Sequence, residues 1–389
     1  MERWQGTQFA WMTLDTGRAG MVETLRYGII GTGMMGAEHI RNLRILPGAE
    51  VVAIADPEQG SLDWALTVLG DAAEGVRTYA DTASLIRAGG LDAVVIASPN
   101  FTHRAVLEPV FDSDVAVLCE KPLCTTMADV AWAVARAATH DAPFWIGMEY
   151  RFMPAAAEFI RQIHAGRVGN LRMLSIREHR FPFLPKVRDW NRFSRNTGGT
   201  MVEKCCHFFD LMRLIIRSEP LRVHCSEAMD VNHLDERYDG RRPDIIDNSF
   251  TTVDFANGVR AMLDLCMFAE GTEHQEEVSA TGDTARLDVL IPPGDIVYNP
   301  RVDWHGPKAV ERSHIAIDAA ALAAGSHQGA TFYQHQAFAK AVRGEAAVQV
   351  SAHDGLMAVA MGIAAEISAR EHRVVEMGEV LAKGLVATA

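Results

Sequence analysis

A chain of 389 residues that is 48% hydrophobic and 22% charged has a globular composition, which excludes disordered, collagen-like and coiled-coil classes. At about 150 residues per domain it makes two domains. The 37 Lys and Arg against 50 Asp and Glu leave a net charge of −13. That argues against nucleic acid or an anionic membrane as the main partner, because both need clustered positive charge.

Residues 1–24 read as an N-terminal appendage, with Met21 as an alternative start. This segment carries Glu2, Asp15 and Arg18 and no continuous apolar stretch, so it makes a poor signal peptide. The longest nearly apolar run, Gly355 to Ala365, is 11 residues and too short to span a bilayer. Six cysteines, with Cys205 and Cys206 adjacent, form no disulfide framework, so a reducing cytoplasm is expected.

Residues 25–150 alternate strands and helices. Apolar runs at Arg26–Ile30, Glu50–Ala55, Asp92–Ala97, Val115–Cys119 and Phe144–Met148 predict strands. Helical segments are predicted near 60–69, 81–88, 102–111 and 126–139. Buried strands separated by helices predict a doubly wound parallel sheet. Residues 151–389 differ. A helix near 153–165 precedes alternating strands at 170–179, 221–230, 248–255, 259–268, 277–280 and 285–290. The Asn257-Gly258 pair signals a hairpin. This pattern predicts an α+β domain with a large, mostly antiparallel sheet open on one face. Residues 233–244 and 292–330 read as long loops, and helices near 333–343 and 353–371 are expected to pack back on the first domain.

The sharpest motif is Gly31-Thr32-Gly33-Met34-Met35-Gly36, which follows a strand and opens a helix, with Asp56 ending the next strand 20 residues after Gly36. Gly31 makes the tight turn, Gly33 lets backbone approach a pyrophosphate, and Gly36 permits close helix–strand packing. The free N–H groups of the helix start then hold the phosphates. Asp56 accepts from the adenosine ribose hydroxyls and repels a 2′-phosphate, and Pro57-Glu58 offers no arginine, so NAD is expected over NADP.

With Ser98-Pro99-Asn100, His103, Glu120-Lys121-Pro122-Leu123, Tyr150-Arg151-Phe152 and Gly198-Gly199 leading to Glu203 and His207, the chain resembles the glucose–fructose oxidoreductase / inositol dehydrogenase (Gfo/Idh/MocA) family over residues 25–370. The resemblance implies an N-terminal Rossmann domain, a C-terminal α/β domain whose open sheet makes oligomer contacts, and hydride transfer between nicotinamide and a sugar, sugar acid or cyclitol. It places Ser98, Asn100, His103 and Glu120 beside the cofactor and makes Lys121 catalytic or cofactor-proximal. It also makes His207 the general base, with an acid nearby as its proton partner. Here that acid is Glu203 where the family usually has Asp, and Lys204-Cys205-Cys206 replaces a small, glycine-bearing segment.

Glu203 and His207 are four apart in a segment of helical periodicity, Met201 to Ile216, and are expected to share a face with Asp210 one turn on. Adjacent cysteines on a helix diverge by about 100°, so Cys205, Cys206, His207 and Asp210 fit no zinc spacing and no metal is expected. Between Arg177 and Arg195 the chain is locally basic. Arg180 and Arg192 are candidates for an anionic substrate group, and Tyr150 and Arg151 are further site-liners.

The expected function is NAD-dependent dehydrogenation of a sugar, sugar acid or cyclitol by a homodimer or homotetramer. The alternative is an NAD-dependent, redox-neutral glycosidase that oxidises, eliminates, hydrates and re-reduces. A non-catalytic NAD-binding sensor is a third class, set against the matching context of Lys121 and His207.

Overall fold

A computed structural model describes residues 23–386; the expected appendage lies outside them except for its last two residues. The described chain forms two compact units. The first takes the residues up to Cys124, then Trp132–Phe152 and Asp318–Gly355; the second takes Thr125–Ala131, Met153–Ile317 and the described residues from Leu356 on. A single cut near residue 150 therefore leaves with the second unit a segment, Asp318–Gly355, that folds with the first.

The first unit is built on β1 (Leu25–Ile30), β2 (Ala49–Ala55), β3 (Arg77–Tyr79), β4 (Ala93–Ile96), β5 (Ala116–Cys119) and β6 (Phe144–Ile146). They form a parallel sheet in the order β3-β2-β1-β4-β5-β6. The helices α1 (Met34–Ile45), α2 (Gln59–Leu69), α3 (Thr82–Ala88), α4 (His103–Val110) and α5 (Met127–Ala137) lie between these strands in the chain. Ile29, Ile54, Val95, Leu118 and Trp145 are fully buried, as strands covered on both faces require. β3 has only three residues and no apolar run, which is why periodicity does not find it. The order reverses between β1 and β4, the place where open α/β sheets bind ligands.

The second unit carries α6 (Pro154–His164), β7 (Leu171–His179), the short α7 (Ser194–Thr197) and α8 (Thr200–Glu203), and α9 (Cys206–Ile216). Then come β8 (Pro220–Ala228), β9 (Asn248–Phe255), β10 (Arg260–Cys266), β11 (Glu276–Gly282), β12 (Ala285–Ile291), β13 (Asp295–Pro300) and β14 (Glu311–His314). With β15 (Val375–Glu376) they form one sheet, ordered β14-β13-β12-β11-β7-β10-β9-β8-β15. Only the β7–β10 pair is parallel. Alternate burial along β9, with Thr251, Val253 and Phe255 inside and Phe250 at 63% exposure outside, leaves one face open. The β9–β10 hairpin turns at Gly258 with φ +84°, as the Asn-Gly pair predicts.

The segment 292–330 is not one long loop. It holds β13, β14 and α10 (Ala319–Ala324), and β14 escapes a pattern search because its four residues are all exposed. Of the closing helices, α11 (Ala330–Val342) packs on α1 inside the first unit, whereas most of α12 (Ala352–Glu371), from Leu356 on, belongs to the second; α13 (Met377–Val386) follows it. No helix among the described residues is long and apolar enough to cross a membrane.

Candidate functional site

In the first unit the site is shaped by backbone. Gly31 has φ +86°, and a Cβ there would lie 2.5 Å from the Ser98 nitrogen, so the ends of β1 and β4 meet only because residue 31 is glycine. A Cβ on Gly36 would overlap the Gly31 carbonyl oxygen, whereas one on Gly33 meets nothing within 4 Å. Gly33 is therefore the position where something from outside can approach. It is also the N-cap of α1, and neither a capping side chain nor an acidic residue occupies that first turn. The amides of a 12-residue helix thus start beside an open glycine, an arrangement suited to a pyrophosphate. Thr32 is fully buried, Met35 half-buried and Met34 52% exposed.

Asp56 follows β2, and its Oδ2 accepts the Thr32 N–H at 2.8 Å while Oδ1 accepts the Glu58 N–H at 2.9 Å. These bonds fix the carboxylate against the glycine loop. Beyond β4, Asn100 is buried, and its Nδ2 has no hydrogen-bond partner among the described residues. An orphaned buried amide two residues past Ser98 fits a site that takes a polar ligand.

His103, expected beside the cofactor, is fully buried. Its Nδ1 faces the Pro122 and Leu123 carbonyls at 2.9 and 3.2 Å, and its Nε2 faces the Ser98 carbonyl at 3.1 Å. Burial lowers its pKa against the pull of those carbonyls. His103 thereby braces the Lys121–Pro122 turn against the end of β4. Glu120 is buried too, with Oε1 at 3.0 Å from His39 Nε2 and Oε2 accepting the Lys121 N–H at 3.2 Å. Tyr150 and Arg151 lie in a buried 3-10 turn, Glu149–Phe152, and the Arg151 guanidinium donates to the Gln349 carbonyl at 2.8 Å.

One His–carboxylate group among the described residues brings potential ligand atoms within 4.8 Å of one another: Glu38, Glu149 and His327. It is hydrogen-bonded internally. His327 Nδ1 is 2.9 Å from Glu38 Oε1, and the Thr331 hydroxyl touches both carboxylates at 3.0 and 2.8 Å. Burial opposes ionisation, yet those contacts and the Ser326 hydroxyl hold Glu38 down to about 2, while burial raises Glu149. Cys205, Cys206, His207 and Asp210 make no such group among the described residues.

In the second unit Gly198 and Gly199, at φ +84° and +93°, turn the chain into α8. The expected continuous helix is broken at Lys204–Cys205, where the N–H groups of both residues reach the Thr200 carbonyl. Glu203 ends one short helix and His207 sits in the first turn of the next, so helical spacing does not by itself relate them. Both are buried. Lys204 is also buried and bonds Glu178 Oε1 at 2.8 Å, which anchors the break to β7.

The two arginines chosen for an anionic substrate are engaged elsewhere. Arg180 pairs with buried Glu178 at 3.3 Å, and Arg192, itself buried, pairs with Glu236 at 3.0 Å. The cation beside Glu203 is Lys186, its Nζ 3.9 Å from Oε1, a neighbour that sequence spacing gives no means of choosing.

Comparison with known proteins agrees with this architecture. The oxidoreductase family's NAD-binding Rossmann fold matches residues 25–148, and its C-terminal alpha/beta domain matches residues 160–377. Inositol 2-dehydrogenase 1 of Saccharopolyspora erythraea is 35% identical over 51% of this chain and 57% of its own. The rhizopine catabolism protein MocA of Rhizobium meliloti is 31% identical over 50% of this chain and 58% of its own, so the chain spans a little over half the length of these two relatives. Myo-inositol 2-dehydrogenase of Thermotoga maritima is 26% identical over 92% of this chain and all of its own. Among solved structures, a probable dehydrogenase from Thermotoga maritima superposes with a TM-score of 0.74 at 24% identity, over 92% of this chain and 100% of that one. With both domains matched in order, the chain belongs to the Gfo/Idh/MocA oxidoreductase family and carries that family's NAD-binding Rossmann domain.

Proposed function

We propose that this protein is a cytoplasmic NAD-dependent dehydrogenase acting on a secondary hydroxyl of a cyclitol or sugar. The observation that carries the reading is the cradle of Gly31, Gly33 and Gly36 with Asp56 fixed beside it, in a family whose relatives here include inositol dehydrogenases. When bound, NAD supplies the nicotinamide that accepts a hydride. The start of α1 would hold the pyrophosphate and Asp56 the ribose hydroxyls, with Ser98 and Asn100 beside the same glycine loop. Lys121 stabilises negative charge developing on the substrate oxygen, and His207 takes the hydroxyl proton as general base. Glu203 is its proton partner. With NAD bound, oxidation of the alcohol to a ketone would give its proton to His207 and its hydride to the nicotinamide.

Because Arg180 and Arg192 are held by Glu178 and Glu236, an uncharged polyol fits better than a sulfosugar or uronide. The relatives lend no support to the glycosidase alternative. The open sheet face, with Met173, Phe250 and Met262 exposed, suits a homodimer or homotetramer.

The test is absorbance at 340 nm with NAD and a panel of cyclitols, neutral sugars, uronates and glycosides, for the wild type, Lys121→Ala and His207→Ala. NADH accumulating with a cyclitol or neutral sugar, and lost in both variants, is expected. Aglycone release without NADH would overturn the reading.

A further inference from the structure

We propose that His39 and His335 are positioning residues for Lys121, acting through the carboxylate of Glu120. The proposal rests on the assignment of Lys121 above and adds a buried proton-ordered chain to it. His39 lies on α1, three residues after Gly36, and His335 lies on α11. Both side chains are fully buried. His335 Nε2 is 2.8 Å from His39 Nδ1, His39 Nε2 is 3.0 Å from Glu120 Oε1, and Glu120 Oε2 accepts the Lys121 N–H at 3.2 Å. The rings meet edge to face, 5.0 Å apart at 87°. Gly147 leaves room for this, since a Cβ there would lie 2.8 Å from Glu120 Oε1.

The hydrogens can be placed by elimination. Burial favours a neutral Glu120, but the His39 bond and the Lys121 charge outweigh it and keep the carboxylate ionised. An ionised carboxylate only accepts, so His39 must carry a hydrogen on Nε2. Burial keeps His335 neutral, leaving that ring one N–H. Its Nδ1 is buried with no hydrogen-bond partner among the described residues, so a hydrogen there would be an orphaned donor. Placed on Nε2, the hydrogen faces His39 Nδ1 at 2.8 Å, a contact that holds one hydrogen between the two nitrogens, so His39 Nδ1 accepts and His39 carries its hydrogen on Nε2 alone. Every donor then runs one way, from His335 to His39 to Glu120, and the ionised carboxylate grips the Lys121 backbone. The strut runs from α11 through His39 on α1, the helix whose N-terminus would receive the pyrophosphate, and ends at the lysine, so cofactor seat and lysine share one rigid support. An isolated buried histidine would need none of this directionality.

The wild type tests the chain directly. In protein labelled with ¹⁵N at histidine, two rings should show Nε2–H with a bare Nδ1; in His335→Gln one of these signals should disappear and the other, that of His39, should shift. A His335 hydrogen on Nδ1 would overturn the proposal. His39→Leu should lower kcat about tenfold or more, the scale of small misplacements at a reacting centre, with NAD affinity within about threefold. His39→Gln, whose amide reaches toward Glu120, should recover most of that loss. Unchanged kcat in His39→Leu, or no recovery in His39→Gln, also counts against it. Should His39→Leu fail to fold, the wild-type tautomers and His335→Gln decide. Lys121→Ala is measured alongside. Turnover surviving that change would sink the assignment of Lys121 itself, whereas turnover lost there but intact in His39→Leu would sink only the chain.

Discussion

In the first unit the candidate chemistry hangs on backbone. Gly31 at φ +86° lets two strand ends touch, Gly36 packs on Gly31, and Gly33 stays open. In the second unit it hangs on side chains held by buried charge: Lys204 on Glu178, Arg192 on Glu236, and Lys186 near Glu203. The first kind of site is written locally, because only glycine meets the conformational demand and the glycines fall within six residues. The second depends on partners far apart in the chain, such as Arg192 and Glu236, 44 residues away. A basic run can be seen in sequence, but not how its charges are spent.

The largest effects should come from attacking the backbone site. Gly36→Val and Gly31→Val should abolish NAD binding or folding, because each side chain would occupy space held by main-chain atoms, which cannot be moved aside cheaply. Gly33→Ala meets no atom, so it should leave the thermal midpoint unchanged and weaken NAD alone. Titration by fluorescence quenching separates the three. If Gly36→Val bound NAD like the wild type, the contrast between the two sites would collapse.

Next in size is the charge-built site. Breaking a buried ion pair from one side leaves an uncompensated charge and costs about 3–5 kcal/mol. Lys204→Met and Glu178→Leu should each destabilise on that scale in urea unfolding, and the double variant Lys204→Met/Glu178→Leu by less than the sum. Additive losses would mean that the pair does not act as a unit. Arg180 also bonds Glu178, so Lys204→Met should be the milder of the single changes.

Asp56→Ala is smaller again. It removes the acceptor of the Thr32 N–H and the like charge facing a 2′-phosphate. NAD should weaken about tenfold, the worth of one charge-assisted hydrogen bond, and the preference over NADP should narrow. A wild type that prefers NADP would break the reading of this residue.

The same contrast explains what the sequence made legible. Both sheets, the parallel order and the glycine loop follow from long apolar runs and special backbone. β3 and β14 do not, because Arg77–Tyr79 is three residues and Glu311–His314 has no buried position. The break after Glu203 escaped because Met201–Ile216 keeps apolar spacing straight through it, while the burial of Lys204 against Glu178 is a tertiary fact. For His103 the motif gives the place but not the contacts, which are with carbonyls of Ser98, Pro122 and Leu123. His39 and His335 had no signal, each being one histidine on a helix, 296 residues apart.

The smallest expected effect is in pH. Burial, then mutual repulsion, pushes Glu227 up to about 8; burial likewise pushes its partner Glu366 to about 7. The same Glu366 carboxylate accepts the Met201 N–H at 3.2 Å and fills the space where Gly199 would carry a Cβ, so the pair sits under the turn into α8. Above the ordinary carboxylate range the folded chain holds protons that the unfolded chain has released. Stability contributed by these groups is therefore fully present below the ordinary glutamate value of 4.5 and is lost as pH rises through about 7 and 8. Glu38, held low, acts in the opposite sense but only below that window. Glu227→Gln keeps a neutral partner for Glu366 and should flatten the decline in thermal midpoint between pH 5.5 and 8.5 by about half, with Glu366, still raised by burial, and Glu276, pushed to about 7, supplying the rest. An unchanged slope would mean that the second unit tolerates both charges at once, and its dependence on balanced buried charge would then stop short of the turn that carries Glu203 and His207.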